Sequence, residues 1–155
     1  MARYSAQVKS STAVAVDTAF AWLMAPASNG CKIRRVTIGV VAGATTPTSQ
    51  QVTVGINRVS TAGTTPTAGM TPAKLDPNSA AAGMIWDSAF VTPPTPNTND
   101  QYRVSFNSQS GADLPWELLE EFVVAAGTTN GLAFINRDNA LPTSHAYTLS
   151  VEWEE

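Results

Sequence analysis

Apolar and polar residues alternate along this chain in short runs, parted by loops rich in Thr, Pro, Gly and Ala. The clearest runs are Val52-Thr53-Val54-Gly55-Ile56-Asn57, Tyr102-Arg103-Val104-Ser105-Phe106 and Tyr147-Thr148-Leu149-Ser150-Val151-Glu152-Trp153. A period of two sends successive side chains to opposite faces of a strand, so Val52, Val54 and Ile56 belong to a core and Thr53 and Asn57 to the water side. On this pattern eight principal strands are expected, over residues 12–24, 32–42, 51–60, 83–91, 101–107, 116–124, 131–136 and 146–154. A short strand over residues 4–9 precedes them. Strands at this spacing, with turn residues between them and no long helical period, predict an all-β fold, a single jelly roll or β-sandwich of about eight antiparallel strands.

The turns carry their own signal. Ala42-Gly43-Ala44-Thr45-Thr46-Pro47, Ala62-Gly63-Thr64-Thr65-Pro66 and Ala126-Gly127-Thr128-Thr129-Asn130 are near copies, each after a Val-rich strand. Glycine allows positive φ and proline removes a donor, so all three read as equivalent hairpin tips. Residues 61–82 and 92–100 are too long for hairpins, and the second holds Pro93, Pro94 and Pro96. In a jelly roll such connections cross between the sheets; long Pro-rich loops are otherwise often functional. The one helical rival is residues 114–126, with Trp116, Leu119, Glu120 and Val123 on one face. Glu117 and Glu121 would repel there at i, i+4, and Phe122-Val123-Val124 favours a strand.

Composition limits the function more than it names it. A chain of 155 residues is the size of one domain and can bury roughly 70% of its unfolded surface. Charged residues make up only 14%, against about 25% in typical domains. The exterior must therefore consist largely of Thr, Ser, Asn, Gln and Ala, and such a surface is either sticky or meant to be covered. Nine Lys and Arg against twelve Asp and Glu give a net charge of -3, with no basic cluster beyond Arg34-Arg35. That argues against nucleic acid as a partner. The first ten residues lack the apolar stretch of a signal peptide, and runs such as Ala19-Phe20-Ala21-Trp22-Leu23-Met24-Ala25 are too short to cross a bilayer, so no membrane association is expected.

Chemistry-bearing residues are few. Cys31 is the only cysteine, which excludes an intrachain disulfide and an all-cysteine metal site, and cytosolic synthesis follows as the simplest expectation. It follows Asn29-Gly30 at a strand entrance and reads as a small core residue. His145 is the only histidine, and no Gly-x-Ser-x-Gly elbow supplies it with a serine nucleophile. Glu117, Glu120 and Glu121, and Glu152, Glu154 and Glu155, are the acidic groupings; alternation around Trp153 predicts an inward tryptophan with its glutamates in water. Asp76, Asp100 and Asp138 read as ordinary turn aspartates. Calcium-loop spacings and phosphate-binding glycine loops are absent from the sequence. No catalytic residue, metal or cofactor is expected, and a small-molecule ligand is not anticipated.

The loops over residues 44–48 and 63–69, the segment Lys74-Leu75-Asp76-Pro77 and the closing Leu149-Ser150-Val151-Glu152-Trp153-Glu154-Glu155 give the whole chain a family look. It resembles the small structural proteins of tailed bacteriophages, especially jelly-roll head decoration (cement) proteins. The resemblance implies a homo-oligomer, a trimer, made in the host cytoplasm and seated on the exterior of the virion. There it would bind the major capsid protein after shell expansion and brace the head against internal DNA pressure. A charge-poor exterior suits a surface buried against itself and a shell, and multivalent attachment adds avidity. Residues 1–10 are expected as an N-terminal arm and 11–155 as the sandwich domain. Arg3, Tyr4, Gln7 and Lys9 are the candidate partner contacts, because a polar terminus with one aromatic can order itself on a partner.

Three rivals belong beside this expectation. A phage tail, fibre or minor capsid protein would share the composition. A carbohydrate-binding β-sandwich would need an exposed member of Trp22, Trp86, Trp116, Trp153, Tyr4, Tyr102 or Tyr147 beside loop Asp or Asn residues. An enzyme of cupin type wants several histidines, and this chain has one.

Overall fold

In the computed structural model, which describes residues 1–64, 70–88 and 90–155, all regular secondary structure is β. The strands are β1 (Arg3–Lys9), β2 (Thr18–Met24), β3 (Cys31–Val41), β4 (Gln51–Thr61), β5 (Ala73–Lys74) and β6 (Ile85–Asp87). They continue as β7 (Thr95–Pro96), β8 (Tyr102–Asn107), β9 (Ala112–Pro115), β10 (Phe122–Val124), β11 (Gly131–Arg137) and β12 (Ala146–Glu154). One antiparallel sheet runs β10–β3–β12–β1–β5, with β9 also on β3; the other runs β6–β2–β11–β4–β7, with β8 also on β4. The two pack face to face as a β-sandwich. Pairing is nested: β1 with β12, β2 with β11, β3 with β9 and β10, β4 with β8. Strands β1 to β4 therefore alternate between the sheets.

The period of two fills the space between them. Tyr4, Ala6 and Val8 of β1, Ile38 of β3 and Tyr147, Leu149, Val151 and Trp153 of β12 share one core with Val52, Val54 and Ile56 of β4 and Leu132 and Phe134 of β11. Phe20 stacks on Tyr147 with ring centroids 4.3 Å apart, and Trp86 meets Phe134 edge-on at 5.6 Å. Two bulges adjust the phase. The register slips between Glu152 and Trp153, so Ile33 and Val36 both face inward although three positions separate them. A slip between Phe134 and Ile135 likewise turns Phe20 and Ala21 to the core together.

The outer faces differ. On the second sheet Ala19, Ala133 and Ile135 form a separate cluster covered by Val59 and Phe90, and Trp22, Gly55 and Asn57 are buried as well. Phe90, Asn97 and Asp100 lie across this face, so β4 and β11 are buried on both sides, and neither Thr53 nor Asn57 is a water-side residue. The outer face of the first sheet stays open, with Arg3, Gln7, Lys9, Arg35 and Thr37 exposed.

Several expected boundaries change. The strand over residues 12–24 begins only at Thr18, because Ala13 and Asp17 hold positive φ and residues 11–17 form a loop. The strand over 83–91 contracts to β6. That over 116–124 contracts to β10 behind an excursion over 116–121, and an unexpected strand, β9, precedes the excursion, with β9 and β10 both on β3. The loops over 42–47 and 126–130 are not hairpin tips but crossings between the sheets, as nested pairing requires. Of the turn at 62–66 and the loop at 63–69, residues 65–69 lie outside the described residues.

Candidate functional site

Within the expected arm over residues 1–10, residues 3–9 form strand β1 of the body. β1 is inserted between β12 and β5, and the Ala2 and Glu155 amides exchange bonds of 3.1 and 3.0 Å. The cause is in the sequence: Tyr4, Ala6 and Val8 make an apolar stripe that the core takes up. Tyr4 is 2% exposed, lies against Trp153 and donates its hydroxyl to Ala80 O at 3.0 Å. Arg3, Gln7 and Lys9 point instead to the open face, where Arg3 Nε reaches Glu154 Oε1 at 2.9 Å. Three of the four expected contacts thus share one surface, while the fourth is core. Above that surface the β8–β9 turn walls a groove of about 820 Å³ floored by Gln7, Thr37, Gly39, Thr148 and Ser150.

His145 and Cys31 do not meet. His145 precedes β12 beside the end of β3, whereas Cys31 begins β3, roughly 30 Å away along the strand. His145 is 3% exposed; its Nε2 accepts the Thr48 amide at 2.8 Å and its Nδ1 lies 3.2 Å from Ser144 Oγ. The ring therefore latches the crossing between β3 and β4. Burial, with the nearby charge of Glu155, pushes the Cys31 thiol up to about 12, the reverse of an activated thiolate.

The carboxylates serve mostly as ties. Glu154, expected in water, is buried: Arg34 Nη2 bonds it at 2.6 Å and Arg3 from the other side, and these bonds hold its carboxyl below the ordinary range despite burial. Arg34 also pairs with Glu121. Glu155 accepts the Gly83 and Met84 amides at 2.8 and 3.1 Å and the Trp153 indole N–H at 2.9 Å. Asp100, read from sequence as a turn residue, is the centre of a buried cluster, its side chain 2% exposed. It accepts Arg137 Nη2 at 2.6 Å and Nε at 3.0 Å, Arg103 Nε at 2.6 Å and Asn57 Nδ2 at 3.0 Å. The one sequence signal for it was Gly55, a glycine inside a strand, which marks close approach by another group. Among the described residues, no group of three or more His, Cys, Asp and Glu is placed to hold a metal ion.

Trp22, Trp86 and Trp153 are fully buried. Trp116 is half-buried and packs edge-on against Phe122 and Tyr102 at 5.1 and 6.1 Å, plugging the sandwich where β8 nears β9 and β10. From this plug the excursion projects Leu118 and Leu119 into water, 66% and 87% exposed, with Leu119 at φ 76° and Val123 beside them at 48%. A second feature is a largely apolar cavity of about 590 Å³, where Ala13, Val14, Ala15, Phe20, Phe90 and Pro93 share the lining with Ser11, Thr18, Ser88 and the exposed Lys9. No family model matches this chain, and no curated protein or solved structure is significantly similar to it. The class that the coordinates define is the antiparallel β-sandwich.

Proposed function

We propose that this chain is a non-enzymatic virion structural protein: a small jelly-roll protein that self-associates, as a trimer, and binds the capsid lattice of a tailed-phage head from outside. One observation carries the reading. A sandwich with only 14% charged residues leaves Leu118, Leu119 and the neighbouring Val123 in water at 66%, 87% and 48% exposure. Large apolar side chains exposed in groups mark surfaces that a partner covers. The nested pairing of β1 to β4 with β12, β11, β9 and β8 supports the jelly roll, a long hairpin rolled into two sheets. The engagement of His145, Glu154 and Glu155 in structural bonds favours a scaffold over a reactive centre.

Light scattering on a size-exclusion column tests the self-association: the expected mass is about three times the 16.3 kDa of the chain. A strict monomer at micromolar concentration overturns it. Co-sedimentation with expanded, DNA-free heads of the phage that encodes it tests the lattice role. Arg3→Glu with Lys9→Glu should weaken that binding if the open face is the one that grips.

A second reading, a carbohydrate-binding module, is favoured by the hydroxyl- and amide-lined groove on the open face. It is weakened by the burial of Trp22, Trp86 and Trp153, which leaves the groove without a tryptophan platform. Calorimetry against neutral oligosaccharides, with Thr148→Val as the control, separates the two.

A further inference from the structure

We infer that the chain associates head to tail, the leucine corner of one copy entering the apolar cavity of the next; this rests on the self-association proposed above and names its contact. The two features complement each other in polarity and charge. Leu118 and Leu119 project together, flanked by the exposed carboxylates of Glu117 and Glu120. The cavity is walled mainly by Ala13, Val14, Phe20, Phe90 and Pro93, with the hydroxyls of Ser11, Thr18 and Ser88 among them, and its lining includes the exposed cation Lys9. A leucine pair with acids beside it thus matches an apolar recess with a base beside it.

Their positions fix the kind of contact. Lys9 lies opposite Thr148 and Arg3 opposite Glu154, so the cavity sits at the Lys9 end of the sandwich. The leucine excursion sits at the other end, tied there by Glu121 through Arg34 to Glu154. Laterally, the cavity flanks β1 and β2, whereas the excursion lies beyond β3, with β12 between β1 and β3. The two surfaces occupy diagonally opposite corners and cannot meet within one copy. A contact between different patches is heterologous, and it closes into a ring when the rotation per copy divides a full turn; three copies make the trimer. Leu119 is held in the left-handed region at φ 76°, a costly conformation for leucine that persists where the projected side chain has a use.

Two variants test the inference: Leu118→Asp with Leu119→Asp at the corner, and Lys9→Glu with Ala15→Glu at the cavity. All four positions are exposed, so both variants should keep the wild-type thermal melt. Each alone should be monomeric, its self-association weakened about a hundredfold or more by the loss of two buried leucines or of their recess. Mixed in equal amounts, they should form a two-copy complex, because the intact cavity of the first receives the intact corner of the second and neither can extend further. A corner variant with the wild-type mass, or a mixture that stays monomeric, overturns the inference while leaving self-association standing. A monomeric wild type removes both.

Discussion

At Gly55 a single hydrogen decides whether the buried Asp100 cluster fits. A Cβ there would lie 2.5 Å from Asp100 Oδ2 and 2.8 Å from its Cγ. Gly55→Ala should displace the carboxylate and cost about 2–3 kcal/mol in urea melts. At Gly43 the backbone is left-handed, φ +65°, but nothing lies within 4 Å of an added Cβ, so alanine there should cost only about 1 kcal/mol. Asp100 also sets an acid response. Burial pushes its carboxyl up, but hydrogen bonds from Arg137 and Arg103 outweigh that and hold it below its ordinary 3.8. The unfolded chain takes up the proton at a higher pH than the folded one, so the cluster stabilises the fold above about pH 4 and less as pH falls through the folded value. Asp100→Asn should cost about 3 kcal/mol at neutral pH by leaving Arg137 with only the exposed carboxylate of Asp17 as partner, and should flatten the loss of stability between about pH 5 and pH 3. Cys31 offers an independent check on burial: a thiol-reactive reagent should label it only at the global unfolding rate. Fast labelling of native protein would contradict its burial at the start of β3, where it pairs with β10.

At the scale of elements, β1 is the one whose character changes most between sequence and structure. As an arm it would be dispensable; as a strand between β12 and β5 it supplies Tyr4, Ala6 and Val8 to the core. Deleting residues 1–10 should therefore abolish cooperative melting and expose apolar surface to a hydrophobic dye, whereas a truncated protein that melts like wild type would restore the arm. The strands read most accurately were β4, β8, β11 and β12, the alternation marking β4, β8 and β12. Residues 12–17 looked like the start of a strand because Val14 and Val16 alternate with small residues. Their loop form is dictated from afar: the Asn136 amide donates to the Val14 and Ala15 carbonyls, and Asn136 Oδ1 accepts the Tyr147 hydroxyl at 2.5 Å. The 116–121 excursion was equally hidden, since its Trp116 anchor depends on Tyr102 of the other sheet.

For the whole molecule, nested pairing means that the first strand closes on the last, with Arg3 and Glu154 separated by 151 positions. Such topology puts a large loop-closure cost before the contacts that repay it. Refolding followed by the fluorescence of buried Trp22, Trp86 and Trp153 should take milliseconds to seconds or longer, and a sub-millisecond single phase would contradict the nested order. The candidate surfaces belong to this scale too, because the cavity joins residues 9–20 to 88–93 and the leucine corner is held in place by Arg34 and Tyr102, far off in the chain. By itself the sequence determined that the protein is an all-β sandwich, and which face of most strands enters its core. Alternation is a local property of the pleat, written in residues two apart. Tertiary structure alone decided that β1 is a sheet strand, that β4 and β11 are covered on both faces, that Asp100 is buried and that two apolar surfaces stand at opposite corners. Those outcomes depend on which distant segments pair and which loops fold over them, an energy that resides in long-range contacts and leaves no period along the chain.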